Sequence, residues 1–389
     1  MQKLARRITD TSPKSYGMVA KAAAVDHTNR DIIHLELGRP YHTTPTHIID
    51  ATVNALRSGE VHYSDLPGLP KFREAISDKL SRYNGIDVSL DDIIVTNGLT
   101  QASYAAFMAL VDDGDEVILV EPYYPQHLGK IEMAGGKPVI VALNPENDYK
   151  LDAEQIEKAV TPRTKAIVLV NPCNPTGRVY TRDELLGVAS LAQRHDLYVI
   201  ADEVYDQIVF DGAEHISIAS LPGMQERTVS MYAFTKSFAM DGWRLGYLTA
   251  GPAVLGAIAK IVASEVTHVN TFIQYGGIAA LTGPSEILAE MVDDDKRKRD
   301  LVVARLNQMP GVTCACPEGT IYAFPNIFGT GLQSQEAADR LLQEADVVVE
   351  SGAFYGQAGE GFLRVCYGSA SYERIEAAMD RMQVFFNKL

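Results

Sequence analysis

Residues 166–177 read AIVLVNPCNPTG: five apolar residues, then a polar run with two Asn-Pro steps. The apolar run is too short for a helix and has no polar face. It reads as a strand buried on both sides in a parallel sheet. The pattern recurs along the chain. VILV (117–120) is a similar run, YVIA (198–201) leads into Asp202-Glu203-Val204-Tyr205, and VSMYAF (229–234) leads into Thr235-Lys236. Helical segments lie between them. One is Leu185–Arg194, introduced by Thr181 and Glu184, which are spaced as a capping box. Strands that alternate with helices predict an α/β fold with helices on both sheet faces. In such sheets ligands sit beyond the carboxyl ends of the strands. Asn174, Asp202, Tyr205 and Lys236 all fall there.

Composition narrows the classes of partner. The chain has 389 residues, 46% of them hydrophobic, and a net charge of −15. That length suits two domains or one large domain with a satellite. The acidic balance disfavours nucleic acid and anionic membrane as partners. No apolar run reaches the ~18–20 residues of a membrane span and no secretory signal is visible, so a cytoplasmic location is expected. The four cysteines (Cys173, Cys314, Cys316, Cys366) form no C-x-x-C pair. Cys314-x-Cys316 has no His or carboxylate cluster beside it in sequence, so it reads as part of a strand, and no metal site is expected.

The polar residues at the strand ends suit one kind of ligand, an aromatic cationic cofactor carrying a phosphate. A carboxylate such as Asp202 can keep a pyridine nitrogen protonated. Tyr205 and Asn174 can share a ring hydroxyl. Lys236, in a desolvated cationic neighbourhood, can bind an aldehyde covalently. A phosphate needs backbone N–H groups at a helix start together with a guanidinium. Asn97-Gly98-Leu99-Thr100 supplies the first, after the strand Ile93–Val95 and before the helix Gln101–Leu110. Arg244, eight residues after Lys236, supplies the second.

With these segments in place, the chain resembles the class I/II aminotransferases, fold-type I enzymes dependent on pyridoxal phosphate. The matching motifs are LELGRP (35–40), VHYSDLPGLPKFREAI (61–76), IIVTNGLTQA (93–102), EPYYP (121–125), NPCNPTG (171–177), ADEVY (201–205), FTKSFAMDGWRLGY (234–247), PEGTIYAFPNI (317–327) and FLRVCYG (362–368). They run in family order over nearly the whole chain. The resemblance implies a large domain with a mostly parallel seven-stranded sheet covered by helices, plus a smaller α+β domain built from both chain termini. The implied boundaries are 1–45 for the N-terminal segment, 46–283 for the large domain and 284–389 for the small one.

By matched position, Lys236 is the lysine that links to pyridoxal 5'-phosphate and shuttles the proton, and Asp202 is the partner of the ring nitrogen. Asn174 and Tyr205 are the ring-hydroxyl partners, and Tyr124 stacks on the ring. Gly98, Leu99 and Thr100 cradle the phosphate with Arg244. Tyr63 reaches the neighbouring subunit's phosphate, which implies a homodimer with shared sites in which Val266–Gln274 also faces the partner. Arg364 grips the substrate α-carboxylate, beside the backbone of Gly38, and Asn174 also holds the substrate. The implied reaction moves an amino group between an L-amino acid and a 2-oxo acid by a ping-pong mechanism. The same scaffold also serves β-lyases, amino-acid oxidases and, remotely, non-catalytic ligand sensors. The chain departs from the family pattern at three places: Ala233 replaces a common serine, Asp241 a common threonine, and Arg39 a residue that is often acidic. Arg39 is expected either to meet a second substrate carboxylate or to pair locally with Glu36. If it does not bind substrate, Tyr16 and Tyr322 are the residues expected to shape the pocket.

Overall fold

A computed structural model describes residues 4–9, 11, 17–25 and 30–389. Tyr16 lies outside the described residues. The apolar runs form eight strands in the first two thirds of the chain: β1 (Ile33–His34), β2 (Ile93–Thr96), β3 (Glu116–Glu121), β4 (Lys137–Ala142), β5 (Thr164–Val170), β6 (Tyr198–Asp202), β7 (Thr228–Ala233) and β8 (Gly246–Thr249). Seven of them make one sheet in the order β2-β8-β7-β6-β5-β3-β4. Only β8 runs antiparallel to its neighbours.

Alternation along these strands feeds two separate cores. Ile118, Ile167, Leu169 and Val199 pack on one face with the helix Arg182–Arg194. Val117, Leu119, Val168 and Ile200 pack on the other with the helices Leu99–Leu110 and Pro252–Glu265. Each such side chain, fully buried, contributes about 1.5–3 kcal/mol. The capping box at Thr181 and Glu184 is present, and it fixes where the helix Arg182–Arg194 begins.

The last third contains β9 (Tyr322–Ala323), β10 (Val347–Val348), β11 (Glu350–Ser351) and β12 (Leu363–Cys366), with helices Ser285–Leu306, Ser334–Ala345 and Tyr372–Phe386. β1 pairs with β10, so the N-terminal segment adds to this part of the fold. Three readings of this part of the sequence are corrected. Read as sequence, Val347–Glu350 predicts one further strand; in the structure it divides, because β10 pairs with β1 while β11 pairs with β12 in another sheet. The sequence from Val312 to Phe328 also predicts a run of short strands, but it reduces to β9 and isolated bridges at Thr313, Gly319 and Asn326. Cys314 and Cys316 therefore lie in irregular chain. The Asn307 amide accepts from the Cys314 N–H and donates to its carbonyl, both at 2.9 Å, and takes the place of a neighbouring strand. The charged helix that the sequence predicts over Met291–Met309 starts earlier, at Ser285, where Pro284 stands at its N-cap.

The helix Gly17–Val25 is fastened by one carboxylate. Glu350, on β11, accepts the Met18 N–H with its two oxygens at 3.0 and 3.2 Å. It also accepts the Ser351 N–H. Burial pushes the Glu350 carboxyl up to about 7, against the opposing pull of those N–H groups and of Arg364. Between the ordinary carboxylate range and pH 7, the folded protein thus holds a proton that the unfolded chain has released. The stability this provides is complete at low pH and is lost as pH rises through about 7. Glu350→Gln carries no charge at any pH. Relative to wild type, its urea denaturation free energy should improve between pH 5 and pH 8 by on the order of 1–3 kcal/mol. A difference that does not change with pH would contradict the raised pKa.

Candidate active site

The carboxyl ends of β5, β6 and β7 bring the expected residues together. β5 ends in the loop that carries Asn174. The ladder runs one step further, where Asn171 N–H donates to the Asp202 carbonyl at 3.0 Å. Asp202 is the last residue of β6 and is 3% exposed. An isolated carboxylate there would be costly. It is partnered by His127, whose Nε2 lies 3.0 Å from Asp202 Oδ2, and by the Val204 N–H. His127 is wholly buried, and burial lowers its pKa although Asp202 pulls the other way. A neutral imidazole donating from Nε2 fits this setting, and it leaves Nδ1 without a partner.

Sequence reading missed His127. The available signal was its place on the helix Pro125–Met133, one turn beyond Tyr124. The Tyr124 ring meets it edge-on, with centroids 5.4 Å apart. Burial also raises the Tyr124 phenol pKa.

Lys236 follows β7 and is half-buried. Its Nζ donates to the Gly38 carbonyl and lies 6.0 Å from the Tyr205 ring centre. Tyr205 is buried, and its hydroxyl is 2.8 Å from that of Tyr322. Burial, and then Tyr322, keeps the Tyr205 phenol well above the usual range and therefore protonated.

Two guanidinium groups lie close enough to act on the Tyr124 phenol together with the Asp202 carboxylate. Gly98 caps the helix Leu99–Leu110 with φ +75°, and a Cβ there would stand 2.7 Å from Arg244 Nη2. Arg244 therefore lies against Gly98, at the start of that helix. Its side-chain hydrogen bond goes to the Asp241 carbonyl, a neutral acceptor. A guanidinium beside the positive end of a helix is a site that an anion completes. Of the hydroxyls near Lys236, Ser237 is buried and Thr235 half-buried, while Ala233 offers none.

Arg364, on β12, is 6% exposed. Its Nη1 donates to Asn174 Oδ1 at 3.2 Å and its Nη2 to the Glu36 carbonyl. The rings of Tyr322 and Tyr355 lie 4.3 and 4.9 Å from its Cζ, and Nε has no partner. Gly38 borders the same space, where a Cβ would overlap the Tyr322 hydroxyl.

Two expected residues stand outside this cluster. Tyr63 is 87% exposed and packs edge-on against His268. Arg39 is exposed and forms no ion pair among the described residues. Its expected local partner, Glu36, turns instead to His34 Nδ1 at 3.0 Å. One group with metal-ligand chemistry occurs among the described residues, His42 with Asp294 and Asp295. The Lys298 ammonium is 2.6 Å from Asp294 and already neutralises it.

Known proteins resemble this chain in sequence and fold. The family model for aminotransferases of class I and II matches residues 30–382. The aspartate aminotransferase of Pyrococcus abyssi is 41% identical over 357 residues, 91% of each chain. The aromatic-amino-acid aminotransferase 2 of Thermococcus litoralis is also 41% identical, over 90% of this chain and 91% of its own. The solved alanine aminotransferase of Pyrococcus furiosus superposes with a TM-score of 0.94 at 33% identity, covering 100% of both chains. The chain belongs to the class I and II aminotransferases and is a transaminase.

Proposed function

We propose that this cleft binds pyridoxal 5'-phosphate and uses it to move an amino group between an L-amino acid and a 2-oxo acid in two half-reactions. The observation that carries this reading is that two guanidinium groups with neutral hydrogen-bond partners, Arg244 and Arg364, gather with the buried Asp202 around the Tyr124 ring. The residues fit the cofactor. Gly98, Leu99, Thr100 and Arg244 would hold its phosphate, Asp202 its ring nitrogen, Asn174 and Tyr205 its ring hydroxyl, and Tyr124 its face. When bound, the cofactor supplies an aldehyde for the amine and a cationic ring that withdraws electron density from the substrate α-carbon.

The chain's own residues do the rest. Arg364 and the Gly38 backbone orient the α-carboxylate. The Lys236 amine takes the α-proton and returns it as general acid. Asp202, held by His127, keeps the ring nitrogen protonated. We take residues 46–283 as the cofactor-binding domain and 284–389, joined by 1–45, as the smaller one. All four cysteines are free, and no described helix is long and apolar enough to cross a membrane. A reducing cytoplasm suits such a chain.

The purified protein should carry a borohydride-reducible link to its cofactor. Lys236→Ala should lose that link and at least about 10²-fold in turnover. Given an amino acid alone, the wild type should release one equivalent of 2-oxo acid per site and then stop. Continuing ammonia release would indicate β-elimination, and oxygen consumption an oxidase.

We also propose that a second copy of the chain covers the face bearing Val61, Tyr63 and Val266, which are 55%, 87% and 40% exposed. Apolar side chains clustered at an active-site rim mark an interface. Sedimentation should show a dimer or an assembly of dimers, and Tyr63→Phe should weaken cofactor retention in it. An active monomer would reject the shared site.

The relatives carry the names of aspartate, aromatic-amino-acid and alanine aminotransferases, so they do not agree on a side chain. Arg39 favours a dicarboxylic substrate. It follows Gly38, is exposed, and is free of ion pairs among the described residues because Glu36 is engaged by His34. Arg39→Gln should raise KM for dicarboxylic donors by roughly tenfold or more, the worth of a charge-assisted pair, and leave alanine little changed. An equal change for all donors would remove Arg39 from the substrate site.

A further inference from the structure

Tyr322 touches both halves of the proposed site. Its hydroxyl is 2.8 Å from that of Tyr205, its ring lies under the Arg364 guanidinium at 4.3 Å, and its oxygen fills the space that the missing Gly38 side chain leaves. The residue is 1% exposed. The rings of Tyr205 and Tyr322 meet edge-on, with centroids 5.7 Å apart. Two phenols sharing one hydrogen bond must divide the roles of donor and acceptor. A cation over a phenol ring draws electron density from it and strengthens its O–H as a donor. Arg364 stacks on Tyr322, whereas the nearest cation to the Tyr205 ring is Lys236 Nζ, at 6.0 Å. The 2.8 Å contact itself allows either hydroxyl to donate; with Tyr322, beneath the Arg364 cation, as donor, Tyr205 accepts and its own proton is free to point elsewhere.

We propose that Tyr322 is a positioning residue: by donating to the Tyr205 oxygen it aims the Tyr205 O–H at the cofactor ring hydroxyl. This rests on the placement of Tyr205 beside that hydroxyl in the proposed function. Hydrogen bonds in series polarise one another, so the outer donor also strengthens the inner one. The expected electronic effect has a definite sign. Negative charge on the ring oxygen stabilises a proton on the nearby nitrogen that joins Lys236 to the cofactor. A donor to that oxygen draws the charge away, so the nitrogen loses its proton at lower pH. Removing the donor raises the midpoint of the pH-dependent change in the visible cofactor band.

The test is a titration of that band in the cofactor-loaded wild type, Tyr205→Phe, Tyr322→Phe and the double variant. Tyr205→Phe should raise the midpoint by about one to two pH units, the worth of a hydrogen bond to an anionic oxygen. Tyr322→Phe keeps the ring beneath Arg364 and should raise it by a few tenths of a unit, roughly the share that an outer bond adds in a chain. In the double variant the Tyr322 change should add nothing, because the bond it acts through is already gone. Gly38→Ala reaches the same hydroxyl from the opposite side, since its Cβ would overlap that oxygen, and it should shift the midpoint upward as well. An unchanged midpoint in both Tyr322→Phe and Gly38→Ala overturns the proposal, as does full additivity in the double variant. If Tyr205→Phe itself leaves the midpoint in place, the placement of Tyr205 is wrong and the inference falls with it. That outcome is separate from a Tyr322 that is merely packed.

Discussion

The site depends on a buried positive charge that the protein does not neutralise. Arg364 is held by neutral oxygens, the Asn174 amide and the Glu36 carbonyl, between two tyrosine rings. Burying a guanidinium costs several kcal/mol unless its donors are met. Two of the Arg364 nitrogens are met from remote parts of the chain, the N-terminal segment after β1 and the loop after β5, while Nε has no partner. The Glu350 carboxylate stands opposite Arg364 in the strand register but spends its oxygens on the Met18 and Ser351 N–H groups. The guanidinium is thus partly solvated by the fold and still lacks a counter-charge. That combination gives a carboxylate-bearing ligand a strong reason to enter.

The large sheet was legible in the sequence because its signals are local. A short apolar run ending in Asn-Pro, Asp-Glu or Thr-Lys announces both a strand and its functional end. β5, β6 and β7 fall within a residue or two of where the runs predict them. The capping box at Thr181 is similarly self-contained. The last third was less legible because its pairings are brief and distant. β10 and β11 are adjacent in sequence but belong to different sheets, and nothing in the sequence around Val349 marks the switch. The Cys314 segment forgoes a strand partner because Asn307, seven residues earlier, satisfies its backbone through a side chain.

The same distinction holds within the site. Lys236, Asp202, Asn174 and Tyr205 sit at recognisable strand ends and motifs. His127 and Tyr322 take their meaning from contacts with Asp202, 75 residues away, and with Tyr205, 117 residues away. A lone histidine on a helix gives no sign of which carboxylate it will meet. Arg39 is a different case. Its neighbour Glu36 looked like an adequate partner in sequence, and only the geometry shows that carboxylate turned toward His34.

The reversed strand β8 has a consequence for how far this architecture can vary. Because β8 runs against both β7 and β2, the chain entering it lies on the same sheet edge as the chain leaving them. Lys236 and Arg244 therefore hang from a single short return loop, with Arg244 held at a positive φ against Gly98. Adding or deleting a residue between positions 234 and 245 would shift the lysine, the arginine or both relative to the start of the helix Leu99–Leu110. Loops at the opposite edge of the sheet carry no such constraint. Insertions, tags and grafted segments belong there, and the return loop between β7 and β8 has in effect a fixed length.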